Sequence, residues 1–302
     1  MKYDALSYVW GDPTKSRSIF VDEKELRVTE NLYHALRWLR GPGHMRVIWV
    51  DAVCTNQNDI PERNHQVGLM GKIYSGAETV RIYLGNADHG SSDIPIILNQ
   101  INRASEKLGK SKPQMYFYDD LVKYGFPSEQ DIVKVRNFFS EPYFTRSWVV
   151  QEAVLARNAN VFCGGWEYSW LAIRVAHRNM IDNSIPVFDG GGPASAGMEG
   201  LLRISDLSLI KSPWKLIDVL DLCRGAQATD KRDKVFAFLN LASDGIVTDL
   251  KPDNGEDARE TFIRYAKYFV KSGDGMMLLY NTNYLRETAH SSTLQLPSWV
   301  ID

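Results

Sequence analysis

The chain has 302 residues, which exceeds an average single domain and calls for one large domain or two smaller ones. Hydrophobic residues make up 44% and aromatics 11%, enough for a substantial core, and the formal net charge of −2 offers no basic footprint for nucleic acid. No apolar run approaches the roughly 20 residues that span a bilayer, so no membrane association is expected. The start, Met1–Leu6, lacks the apolar stretch of a secretory signal. Cys54, Cys163 and Cys223 are widely spaced and form no metal-binding pattern with the scattered histidines. They read as buried free thiols of a reducing compartment, and a cytoplasmic location is expected.

Residues 3–9 have the β-branched and aromatic content of a first strand, closed by the turn Trp10-Gly11-Asp12-Pro13. Ile19–Val21 and Leu26–Val28 flank an acidic turn and predict a small hairpin. Thr29 or Asn31 caps a helix with Leu32, Ala35, Leu36 and Leu39 as its stripe. Arg46–Asp51 reads as a strand buried on both faces, with Asp51 at its carboxyl end and a polar loop over 52–59. A helix carrying Val67, Met70, Ile73 and Tyr74 follows, then a strand over Thr79–Leu84. This β-α-β-α-β order predicts an α/β fold with a parallel sheet and right-handed crossovers.

Residues 87–143 read as an insertion, helical over 93–108 and 129–139 (Ser128 as cap) and irregular over 113–124. A helix is expected over about 147–157, a strand over 160–165 and a helix over 170–179. The glycine-rich segment within 183–200 reads as a flexible loop that separates residues 1–182 from a helical part, 201–302. Helices are expected there near 213–224, 231–242 and 256–272. The charged run Asp230-Lys231-Arg232-Asp233-Lys234 reads chiefly as a solvated cap with local ion pairs. The chain stops at Pro297–Asp302 without an obvious stop signal, as a piece of a longer protein would.

Dinucleotide, P-loop, zincin and hydrolase signatures are absent. The stretch Arg146–Ala153 stands out instead, because Trp148 and Glu152 are four residues apart and share one helical face. A carboxylate beside a large aromatic is partly shielded from water. A core helix with an edge carboxylate has the same pattern. Cys54 has no histidine nearby in sequence to activate it.

Three blocks together carry a family resemblance: Ala5–Gly11; Ile48–Gln57 with Glu62, Arg63, Gln66 and Val67; and Arg146–Glu152. The chain resembles the HET (heterokaryon incompatibility) domain of filamentous fungi, and the segment Asp230–Ala237 is similar to what commonly follows that domain. The resemblance implies an intracellular trigger of cell death on recognition of non-self, with a possible upstream incompatibility partner. More distantly, the HET domain is similar to Toll/interleukin-1 receptor (TIR) domains. That implies a TIR/flavodoxin-like parallel sheet flanked by helices, with a helical insertion and a mainly helical C-terminal part. It also implies self-association through the TIR-like domain.

Tyr3–Tyr8 matches the TIR first-strand box, and Trp148 and Glu152 match the TIR WxxxE pattern, whose glutamate is catalytic in members that cleave NAD. The implied activity is NAD⁺ or NADP⁺ glycohydrolysis, with the dinucleotide as substrate and no resident cofactor. Glycoside cleavage ordinarily uses two carboxylates, because a poor leaving group must be protonated. Nicotinamide leaves neutral, so one carboxylate that stabilises the cationic ribosyl suffices. Glu152 takes that role, and Trp148 packs the helix and orients it. Ser7, Tyr8 and Trp10 lie at the end of the first strand, where Tyr8 or Trp10 either stacks on a base or packs the rim. Asp51 binds a ribose hydroxyl or caps its loop, and Arg63 and Arg146 meet the pyrophosphate or form surface ion pairs. A non-enzymatic assembling module and a nucleotide sensor are the alternative readings.

Overall fold

In the computed structural model, the described residues are 2–41, 45–86, 91–108, 118–182, 192–209, 214–245, 247, 250–287 and 294–300. The elements are β1 (Asp4–Tyr8), β2 (Arg17–Val21), β3 (Lys24–Val28), α1 (Glu30–Leu39), β4 (Ile48–Trp49), α2 (Asp51–Cys54), α3 (Ile60–Gly76) and β5 (Val80–Gly85). Then come α4 (Ile94–Leu108), α5 (Tyr118–Lys123), α6 (Glu129–Phe139), α7 (Ser147–Val154), β6 (Ala159–Cys163), β7 (Trp166–Ser169) and α8 (Trp170–Asp182). The last are α9 (Pro193–Leu209), α10 (Leu216–Leu222), α11 (Asp233–Phe236), α12 (Ala258–Lys271) and α13 (Gly275–Glu287).

The chain forms two compact units, and each is interleaved in sequence. The first comprises 1–50, 77–145 and 156–207. Its five-stranded sheet has the order β4-β1-β5-β6-β7. Counted along the chain this is 2-1-3-4-5, the flavodoxin-like doubly wound order. β1 is buried at all five positions, as a strand with elements on both faces must be. It pairs in parallel with β4 (Ala5 opposite Trp49) and with β5 (Leu6 opposite Arg81), and β5 pairs in parallel with β6. The fold is therefore α/β with a mostly parallel sheet.

The far edge differs from the expected parallel sheet. β7 runs antiparallel to β6, turned by Gly164 and Gly165, which both sit at positive φ as a tight two-residue hairpin requires. The smaller hairpin β2–β3 turns at Asp22-Glu23, two non-glycine residues at positive φ. Asp4 anchors the amino end of the sheet, accepting from Arg46 Nη1 at 3.1 Å and Arg81 Nε at 2.9 Å.

Capping chemistry sets α1 and α6. The Thr29 and Ser128 hydroxyls accept the backbone N–H of Leu32 and Asp131. Residues 193–200, expected as loop, form the first turns of α9 instead. The glycines there serve packing: a Cβ on Gly197 or Gly200 would lie 1.9 Å from the carbonyl oxygen of Phe139 or Phe144. Residues 183–191 of that expected loop lie outside the described residues.

The second unit comprises 51–76, 146–155 and 208–302. Here α3 packs against α7, and α7 against α11. Residues 52–54, expected as the start of a loop, belong with Asp51 to one helical turn, and Cys54 is exposed rather than buried as expected. Cys163 and Cys223 are buried, and none of the three cysteines forms a disulfide. Gly71 of α3 lies so close to the Leu239–Leu241 turn that a Cβ there would meet Asn240 Cβ at 2.6 Å. The Asn240 side-chain amide donates to Val67 O at 3.3 Å. The segment expected as one helix over 231–242 is divided into α11 and that 3-10 turn, and α13 follows α12 where no helix was expected.

Candidate functional site

In the first unit the chain reverses its direction of sheet growth between β1 and β5, the position where open α/β sheets hold ligands beyond their carboxyl ends. Ser7, Tyr8 and Trp10 lie there, on and just after β1. Ser7 is 0% exposed, with its hydroxyl 2.8 Å from that of Tyr143. Tyr8 is 3% exposed, and Trp10 is half-buried before Gly11, which takes φ +69°. Asn31, the alternative cap of α1, instead donates to the carbonyl of Val9 and fixes the same turn.

The second unit assembles its site around α7. Ser147 opens the helix by donating both its backbone N–H (2.9 Å) and its hydroxyl (3.0 Å) to Gln227 O, 80 positions away. Arg146 and Gln227 form an isolated parallel bridge beside this clamp. The next residue, Trp148, is half-buried, and Glu152, one turn further on, is 5% exposed. The expected sharing of one helical face holds, since both lie within α7.

The Trp148 indole donates to the carboxylate of Asp233, at the start of α11. Asp233 is half-buried and titrates at about 6, far above the usual 3.8. Burial drives the rise and the neighbouring Asp230 adds to it, while the Trp148 hydrogen bond and the positive fields of Arg63 and Arg146 oppose it. Asp230 moves down, chiefly through its hydrogen bonds from Arg232. The Arg232 guanidinium forks onto Asp230 (Nε at 3.0 Å, Nη2 at 2.5 Å) and reaches Glu256 O through Nη1 at 2.9 Å. Arg63 Nη2 donates to Asn254 Oδ1 at 3.0 Å, and Asn254 in turn donates its backbone N–H and side-chain amide to Asn64 Oδ1 at 2.7 Å each. Asp51 Oδ1 accepts from Ala52 N at 2.7 Å, and its carbonyl accepts from Gln57 Nε2 at 3.1 Å, so it braces the loop that follows it.

Three expected residues, Arg63, Arg146 and Trp148, thus converge on one carboxylate that the sequence reading left in a solvated cap. The local Asp230–Arg232 ion pair was legible in that charged run. The long-range partner of Asp233 was not, because nothing in the run specifies a tryptophan far upstream. Chemically the cluster offers a buried carboxylate at Glu152, a carboxyl group that exchanges its proton near neutrality at Asp233, and guanidinium groups suited to anionic oxygens. Among the described residues no group of His, Cys, Asp and Glu could hold a metal ion, and no helix is long and apolar enough to cross a membrane.

The sheet order makes the first unit a doubly wound α/β fold, and the second unit holds, around α7, a polar cluster contributed by residues far apart in sequence. Residues 3–152, from the start of β1 to Glu152, match the family described as heterokaryon incompatibility protein (HET). The chain carries a HET domain. It is similar to the heterokaryon incompatibility protein 6, OR allele, of Neurospora crassa, with 25% identity over 363 aligned positions covering 99% of this chain and 52% of the relative. The chain therefore spans about half the length of the curated relative it matches. No solved structure matches it.

Proposed function

We propose that this chain is the HET-domain part of a non-self-recognition effector that triggers cell death by hydrolysing NAD⁺ or NADP⁺ at the nicotinamide–ribose bond. Glu152 is its catalytic carboxylate. The observation that carries this reading is the burial of Glu152 on α7, one turn beyond Trp148. A carboxylate taken out of water interacts strongly with a developing cation. Nicotinamide departs neutral, so the reaction asks only that the ribosyl oxocarbenium be stabilised until water adds. Arg63 and Arg146 supply positive potential for the pyrophosphate, Trp148 orients α7, and Asp51 is a proposed contact to the ribose. The likeness of Trp148 and Glu152 to the TIR WxxxE pattern supports the assignment, and the HET match supports the biological role. Such an effector acts in the cytoplasm, self-associates through this domain and answers to an upstream incompatibility partner. Chromatography of NAD⁺ incubated with the purified chain tests the chemistry: free nicotinamide and ADP-ribose are expected, and intact NAD⁺ under forced self-association excludes it.

One observation favours a second reading, a non-enzymatic signalling module. Arg63 already has a protein acceptor in Asn254, and a buried Glu152 is equally suited to anchoring α7. On that reading cell-death signalling survives Glu152→Ala and fails when surface contacts are changed.

A further inference from the structure

Four helices of the second unit, α10 to α13, surround a cavity of about 70 Å³. Its wall is mainly apolar and buried, with Ile217, Val235, Phe262, Phe269 and Leu278 as the chief contributors. The Tyr265 hydroxyl, at the same wall, is committed to Leu250 O at 2.6 Å. Four polar side chains, Asp221, Arg224, Lys234 and Asn281, interrupt this lining. Asn281 of α13 is 3% exposed, and its side chain lines the cavity. Lys234 of α11 faces the same cavity, and its ammonium has neither hydrogen bond nor ion pair among the described residues. Arg224 and Asp221 also line it, but they pair with each other and cancel. One net positive charge and one amide therefore look onto a mainly apolar hole.

We propose that this cavity is a binding site for a short-chain aliphatic carboxylate. The alkyl tail lies among Val235, Phe262 and Phe269, and the carboxylate meets Lys234 and the Asn281 amide. The volume limits the tail, because it is roughly half that of the ~150 Å³ apolar cavity known to accept benzene. The charge limits the head: a single point cation with one amide matches a monocarboxylate, whereas a dianionic phosphate calls for more positive charge than the paired Arg224 leaves. Arg63, Arg146, Trp148 and Glu152 do not line this cavity, so the site is independent of the proposed catalytic cluster. The two are joined through α11, where Asp233 holds Trp148 and the next two residues face the cavity.

Calorimetric titration of the full chain with propionate, butyrate, pentanoate and hexanoate, and with 1-butanol as the neutral counterpart of butyrate, tests the proposal. Affinity is expected to rise about fourfold per methylene and then level off once the tail fills the cavity. Butanol is expected to bind roughly tenfold more weakly than butyrate, a difference that Lys234→Gln removes. The Asn281 side-chain amide resonance should move on adding butyrate and stay put on adding chloride. Ala266→Phe fills the cavity and should abolish binding, with Leu278→Phe as the second filling variant if the first alters the circular dichroism. Absence of saturable binding at every chain length, a flat affinity series, or an unmoved Asn281 resonance would overturn the site.

Discussion

Replacing Asp233 with Asn removes a charge while leaving a carbonyl oxygen to accept the Trp148 indole N–H. In the folded chain Asp233 titrates at about 6, against 3.8 for an unburdened side chain. Its folded form therefore holds a proton more tightly than its unfolded form, and ionisation works against folding. The stability that protonated Asp233 contributes is complete below about pH 4 and is lost as pH rises to about 6, beyond which the loss is constant. At roughly 1.4 kcal/mol per pH unit, the displacement corresponds to about 3 kcal/mol. Water access at this half-buried position lowers the expected effect to between about 1 and 3 kcal/mol. Asp233→Asn should thus unfold at higher urea than the wild type at pH 8, by that margin, and the advantage should vanish at pH 4. Paired urea titrations at the two pH values, followed by circular dichroism, measure the difference directly. An Asn variant less stable than wild type at pH 8, or one whose advantage grows on acidification, would refute the burial-dominated account of this carboxylate.

Two further outcomes probe the fold that carries the site. Asp4→Asn should cost about 1–2 kcal/mol in urea unfolding, because Arg81, with only 18% of its side chain exposed, loses its 2.9 Å pair and keeps only the 3.6 Å contact to Glu167; a cost under about 0.5 kcal/mol would show that solvent or Glu167 replaces the pair. Gly200→Ala should cost about 3 kcal/mol or more, because the added Cβ would lie 1.9 Å from the Phe144 carbonyl oxygen and α9 must move away. A stabilised Ala variant, as an ordinary helical glycine would give, would contradict that close approach.

Local chemistry in the chain was legible wherever it decided the structure. The Ser128 hydroxyl caps α6, and that helix runs Glu129–Phe139 as its spacing implied. β1, β5 and β6 are short runs rich in aliphatic and aromatic residues, each broken by only one or two polar side chains, so their strand character followed from composition. β7 was missed because three of its four residues are exposed and it reads as the tail of a turn. The glycines that made 193–200 look like a loop are there because α9 lies against backbone, a long-range demand that composition does not reveal. α13 escaped notice because Gly275–Tyr280 has no polar stripe to mark a helical period. The site divided in the same way. Trp148 and Glu152 were visible as a pair four residues apart. The Ser147–Gln227 clamp and the Trp148–Asp233 hydrogen bond join segments that only tertiary packing brings together.

The central claim rests on the Glu152 carboxylate, and the direct measurement is nicotinamide release from NAD⁺ by wild type and by Glu152→Gln at matched fold and association state. Gln keeps the size of the buried side chain and removes its charge, so stability measured by urea should change little beside the chemistry. The account predicts turnover by the wild type and a loss of about 10²–10³-fold in kcat for the variant, the range found when a single preorganised electrostatic group is removed. Equal turnover by the two proteins would contradict it.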